Sequence, residues 1–223
     1  MKVKRSKFHL MLFLPAALFH AATLSATVAF STVDISGSYD NTTALAIKGS
    51  SSINGYQAWA NQFVPSTSGL LTSIELGLHY DQFASFPGDQ VNVRVALDFN
   101  DPVRGHLPSA TSLASGSVTP PTPFGFFGLV TLSPSASPLL SAGTPYWVVV
   151  EPHFPTTVAE WNVNSMGAVG AFAASFDGST WGQNPSGTLA AFRVNIGPVP
   201  EPSSLAVLAL GLGALVRLRR RVR

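Results

Sequence analysis

Tyr146-Trp147-Val148-Val149-Val150 (YWVVV) is apolar at every position. Successive side chains of a strand point to opposite faces, so this run reads as a central strand covered on both sides. On either side of it, period-two alternation recurs. In residues 73–80, Ile74, Leu76, Leu78 and Tyr80 face one way and Ser73, Glu75, Gly77 and His79 the other. In 91–99 the apolar set is Val91, Val93, Val95, Leu97 and Phe99, opposed by Asn92, Arg94, Ala96 and Asp98. Ala159, Trp161 and Val163 alternate with Glu160 and Asn162, and Phe192, Val194 and Ile196 with Arg193 and Asn195. Pro65, Pro87-Gly88, Pro102, Pro108, Pro120-Pro121, Pro134, Pro138 and Gly143 punctuate these runs as turn or edge signals. No apolar stripe of helical period has useful length. The expectation is all-β: an antiparallel, jelly-roll-like β-sandwich over residues 30–197.

Composition agrees with one β-rich domain. Of 223 residues, 46% are apolar and only 11% charged, with 19 Gly and 17 Pro. The calculated pI near 9.2 suggests nucleic acid, but the positive charge sits at the two ends. Residues 31–200 hold four Lys or Arg against ten Asp or Glu, a net of −6. A body of that sign repels phosphate backbones, so no nucleic-acid partner is expected. The absence of cysteine excludes disulfides, thiolate metal sites, a Cys nucleophile and a lipidated N-terminal Cys.

The ends carry targeting signals. Residues 1–9 are basic, Leu10–Phe19 (LMLFLPAALF) is apolar, and small residues follow, the layout of a secretory signal peptide over residues 1–29 with a cut after Ala26 or Ala29. Ten apolar residues rise only about 15 Å as a helix, half of what a bilayer core requires. At the other end Val199-Pro200-Glu201-Pro202 leads into Leu205–Val216 (LAVLALGLGALV), followed by Arg217, Arg219, Arg220, Arg221 and Arg223. As a helix, 205–216 measures about 18 Å, enough to be held in a membrane with extended arginine stems but not anchored firmly. Clustered arginines favour the cytoplasmic side, which leaves the body outside, in agreement with export at the N-terminus.

That terminal order, Pro-Glu-Pro, then a short apolar segment with Gly211 and Gly213, then arginines, resembles the PEP-CTERM sorting signal of Gram-negative bacteria that make extracellular polysaccharide. The resemblance covers residues 198–223. It implies an exosortase-like membrane protease as partner, transient inner-membrane association, removal of the tail, and delivery to the cell surface or extracellular polysaccharide. A second resemblance runs over residues 56–196. Gln62-Phe63, Leu71–Leu76, Val91–Leu97, Leu140–Val150 (LSAGTPYWVVV) and Trp161 are similar to choice-of-anchor domains, which implies a β-sandwich and no catalytic residues.

The body offers few groups for chemistry. His79, His106 and His153 lack the i, i+2 or i, i+4 spacing of a metal pair; His79 falls on a polar strand face and the other two beside prolines in expected loops. Asp98-Phe99-Asn100-Asp101 before Pro102 reads as a solvated turn, because the glycine and distant Glu of an EF-hand are missing. No nucleophile elbow, phosphate loop or dinucleotide fingerprint occurs, and no cofactor or metal is expected. Phe124–Phe127 reads as a loop plugging the core. Among the tryptophans, Trp147 and Trp161 belong to strands and the core. Trp59 and Trp181 fall where exposure is plausible from the sequence, and are the candidates for stacking on sugar rings. The expected function is a non-enzymatic structural or adhesive module in an exopolysaccharide setting. The alternatives are a secreted carbohydrate-active hydrolase or lyase and a permanently tail-anchored membrane protein.

Overall fold

The computed structural model describes residues 25–80, 90–121 and 128–199. The signal-peptide core, Pro87-Gly88, Phe124–Phe127, Pro200-Glu201-Pro202, the apolar stretch 205–216 and the terminal arginines lie outside the described residues. Within them every regular element is a strand, and all pairings are antiparallel. The strands are β1 (Thr27–Ser31), β2 (Ala44–Lys48), β3 (Ala58–Phe63), β4 (Gly69–Leu76), β5 (Leu78–Tyr80), β6 (Val91–Asp101) and β7 (Gly105–Val118). They continue as β8 (Val130–Leu132), β9 (Leu139–Leu140), β10 (Tyr146–Pro152), β11 (Val158–Asn162), β12 (Val169–Ser175), β13 (Gly182–Thr188) and β14 (Phe192–Gly197).

Three sheets result. A six-stranded sheet runs β13-β12-β3-β10-β6-β7, a second β1-β14-β4-β8 with β9 also on β4, and a third β2-β11-β5. The principal core lies between the first sheet and the other two. Val91, Val93 and Val95 of β6 and Tyr146, Val148 and Val150 of β10 meet Leu71, Ile74 and Leu76 of β4, Phe192, Val194 and Ile196 of β14, and Trp161 of β11 in one buried cluster. This layering accords with the expected sandwich. The tyrosine-to-valine run sits in the interior of the six-stranded sheet, flanked by β3 and β6, and all five of its side chains are buried.

Several elements depart from simple alternation. The run 73–80 is two strands, not one: β4 pairs β14 while β5 pairs β11, so the chain changes sheets at Gly77. A Cβ there would stand 3.0 Å from the Ala191 methyl and 3.1 Å from the Tyr39 ring. Such contacts would have to give by a few tenths of an ångström to admit a side chain. Its amide and carbonyl bond Ala191 O and the Asn162 amide. Asn162, expected to face water, is 1% exposed because its Nδ2 reaches Gly77 O. In β6 the register shifts twice, after Val95 and after Ala96. The inward set therefore ends at Val95, and Leu97 and Phe99 are 42% and 52% exposed. Asp98 to Asp101 are not a loop either; they continue β6 into a hairpin, and His106 is in the return strand β7.

Chain entry and exit are neighbours. Thr27 pairs Ile196 and Val28 pairs Asn195, and Ala29, 2% exposed, receives the Ser66 amide and hydroxyl on its carbonyl. Of the two candidate cuts, one after Ala29 removes this buried residue and two strand pairs. A body beginning at Phe30 should therefore melt below one beginning at Thr27. The expected gap is a few degrees, at about 2–4 °C per kcal/mol for a domain of this size. Thermal unfolding followed by circular dichroism compares them; equal midpoints would show that Thr27–Ala29 add nothing to the fold.

Candidate functional site

The reverse face of the six-stranded sheet, away from the principal core, carries a second buried cluster of Ala60, Ala96, Leu107, Trp147, Val149 and Ala173, against which Trp181 packs. Small residues on β3, β6 and β12 leave room here. The room is filled by the tip of the β6–β7 hairpin, which the register shifts bend across the sheet. At the tip, Gly105 has φ +79° and lies so close to Gln183 of β13 that a side chain there would collide with it.

One carboxylate fastens the hairpin. Asp98 Oδ1 accepts the indole N–H of Trp147 at 2.8 Å and the amide N–H of Gln62 at 3.0 Å, while Oδ2 meets His106 Nδ1 at 2.6 Å. Trp147 is fully buried, so its N–H has no access to water and needs this acceptor. The residue expected to lie in a solvated turn is thus the polar partner of the central strand.

An open cleft of about 490 Å³ lies between this hairpin and the β12–β13 turn. Arg94, Phe99, Arg104 and Leu107 line it from the hairpin, Glu151 from the end of β10, and Gly178, Ser179 and Trp181 from the turn. A second hollow of about 440 Å³ is lined by Trp181 as well, with Arg104, Phe176, Asp177 and Thr180. Trp181 and Arg104 therefore line both hollows, which adjoin at these two residues. Both arginines are held in place: Arg94 Nη1 donates to Ser109 O at 2.9 Å with Glu151 3.6 Å from its Nε, and Arg104 pairs Asp101 at 3.1 Å. Exposed Phe99 and Phe176 stand at the rims.

The turn that carries Trp181 is built by Asp177, whose Oδ1 accepts the Thr180 amide at 2.6 Å and the Ser179 amide at 2.8 Å. These bonds, the Thr180 amide first, hold its carboxyl well below the usual carboxylate range. Beneath the turn, Gly178 lies against Tyr56; burial first, then Glu151, pushes that phenol up to about 12, so it stays protonated at neutral pH.

The sequence-based candidates separate here. Trp181 is in the cleft, half-buried against the second cluster and not freely exposed. Trp59 does not line the cleft: half-buried, it packs on the principal core, donates its N–H to Ala46 O at 2.7 Å, and its ring lies 6.0 Å from Phe172. Trp147 and Trp161 are buried as expected. His79 pairs Glu160 at 2.7 Å and His153 Nδ1 lies 2.7 Å from Asn92 Oδ1. Among the described residues no three potential ligands gather for a metal. Of the sorting residues, Val199 is described and is 43% exposed. Alternation did reveal that Arg94 shares the outer face with Asp98, but the convergence of Arg94, Glu151 and Arg104 depends on the bent hairpin and has no local signal.

Residues 198–221 match the PEP-CTERM protein-sorting motif. The motif implies a secreted protein that an exosortase, a membrane protein, sorts toward the cell surface after transient membrane anchoring. No curated protein matches the chain, and no comparison supports the choice-of-anchor resemblance of residues 56–196.

Replacing Asp98 with Ala strands the buried indole N–H of Trp147, a loss of about 1–3 kcal/mol. The Asp98→Ala midpoint should fall by several degrees and the near-ultraviolet tryptophan bands should weaken, while Asp98→Asn, which keeps a carbonyl acceptor, falls less. Equal effects of the two would mean that the indole bond does not fasten the hairpin.

Proposed function

We propose that this chain is an exported, non-enzymatic β-sandwich of jelly-roll type, cut from its tail by an exosortase-like protease. Its body then serves as a structural or adhesive module that binds polysaccharide outside the cell. The sorting part rests on the match at residues 198–221. The observation that carries the binding part is that Trp181 lines both of two adjoining hollows.

Sugar rings present C–H faces, which stack on indole, and a rim of hydroxyls, which pair with planar charged groups and backbone amides. Trp181 supplies the first kind of contact. Arg94, Glu151 and Arg104 supply the second, already oriented by their own partners, which lowers the ordering cost of binding. Two hollows in sequence suit consecutive residues of a chain better than one compact molecule. With charges of both signs in the cleft and a body of net −6, a neutral glycan is favoured over a polyanionic one. Glu75 and Glu160 lie outside the cleft lining, where Glu75 pairs Arg193 at 3.0 Å and Glu160 pairs His79 at 2.7 Å.

Affinity electrophoresis through gels containing the host's own polysaccharide provides the test. The secreted protein should be retarded, with no release of reducing ends. Trp181→Ala should abolish retardation and also lower the melting temperature, because the ring packs on the second cluster. Phe99→Ala with Arg104→Ala, both at the open rim, should weaken retardation severalfold and leave the melting temperature unchanged. Undiminished retardation in both variants would remove the cleft from the binding surface, and release of reducing ends would overturn the non-enzymatic reading.

A further inference from the structure

The end of the body from which the tail departs is built from β1, β14, β4 and the connections beside them. Gly197 lies opposite Leu70, Leu70 opposite Leu139, and Thr27 opposite Ile196. The Gly143 amide bonds Pro65 O, and the Ser66 amide bonds Ala29 O, tying the two nearby loops to the same end. On the six-stranded sheet, Tyr146 lies between Phe63 and Leu97 and marks this end as well.

Two properties distinguish this end. Residues 25–29, 64–70, 138–145 and 195–199 contain no Asp, Glu, Lys or Arg, although the body as a whole is acidic. In addition, Val28, Val64, Leu139 and Val199, all within or beside these segments, have exposures between 43% and 51%. Charge depletion with half-exposed aliphatic groups marks the centre of a protein interface, where a buried charge would carry a desolvation cost.

Chain length names the partner. Pro200 is three residues and Pro202 five residues beyond Gly197, the last residue of β14. Even fully extended, the chain places the Pro-Glu-Pro segment within about 11–18 Å of the sheet, and Leu205 within about 28 Å. A single helix with its side chains is about 10–12 Å across. An enzyme that encloses the motif must therefore abut this end of the body. We infer that the uncharged end around Val28, Val64, Leu139 and Val199 is a docking face for the membrane-embedded sorting protease, so that the body is part of the recognised substrate and not a passive passenger. The inference rests on the sorting reading of residues 198–221.

The test uses the full chain expressed in its host, with tail removal followed by pulse-labelling and mass. Val64→Glu with Leu139→Glu should slow removal about tenfold, the size expected when two half-exposed aliphatic contacts are lost. Ile53→Glu, at a residue 98% exposed in the loop between β2 and β3 at the opposite end, should have no effect. If two glutamates lower the melting temperature, Val64→Ser with Leu139→Ser gives the same comparison without new charge. Removal at the parent rate overturns the docking face, as does equal slowing by Ile53→Glu. Slowing accompanied by loss of the precursor from the membrane fraction would assign the face to lipid, and also overturns it. A parent chain that keeps residues 203–223 would instead sink the sorting reading itself.

Discussion

The whole molecule is organised by the need to cover one strand twice. β10 presents Tyr146, Val148 and Val150 to one side and Trp147 and Val149 to the other, and none of the five tolerates water. On the first side the two smaller sheets supply a conventional cover through β4, β14 and β11. On the second side no further sheet forms among the described residues, and the bent β6–β7 hairpin takes that place. Burial of Trp147 then creates a polar obligation, since its N–H leaves water along with the ring. Asp98 meets it, and by bonding Gln62 and His106 as well it ties β10, β3, β6 and β7 together at one point.

The cleft is a by-product of that cover. A hairpin laid across a sheet is not a full layer, and the margin between it and the β12–β13 turn stays open. Residues that line the margin belong to the rigid sheet at one side, as Arg94 and Glu151 do, and to tight turns at the other, as Trp181 does. The margin lies at the end where Ser175 pairs Ala58, whereas the tail leaves from the end where Phe63 pairs Tyr146. The cleft and the start of the tail therefore lie at opposite ends of the body, the first on the six-stranded sheet and the second after β14 of the facing sheet.

Strand identity was legible wherever alternation ran unbroken. The unbroken apolar run Tyr146–Val150 is a doubly covered central strand, Phe192, Val194 and Ile196 face the core as their alternation requires although Asn195 is buried too, and the strand-borne Trp147 and Trp161 are buried. Alternation failed where the backbone changes partner. Two register shifts in β6 turn Leu97 and Phe99 outward, and Gly77 transfers the chain between sheets, events governed by non-local packing that period-two counting does not sense. Asp98 read both as the polar face of the strand 91–99 and as part of a solvated acidic turn, yet what decides its role is a tryptophan far away in sequence. Trp59 and Trp181 both stand near turn-forming residues, and only the presence of β2 over the first separates a core residue from a cleft residue. The sorting end was legible because such a signal is read as contiguous sequence.

The central claim is that Trp147 is sealed by the hairpin and bonded to Asp98 while Trp181 lines an open cleft. Hydrogen exchange of the four indole N–H groups, resolved by nuclear magnetic resonance and assigned by single Trp→Phe replacements, tests it most directly. The Trp147 and Trp161 indoles should exchange only through global unfolding, Trp59 more readily, and Trp181 within the dead time of the measurement. An indole of Trp147 that exchanges as fast as that of Trp181 would mean that the reverse face of the sheet is open, and would contradict the account.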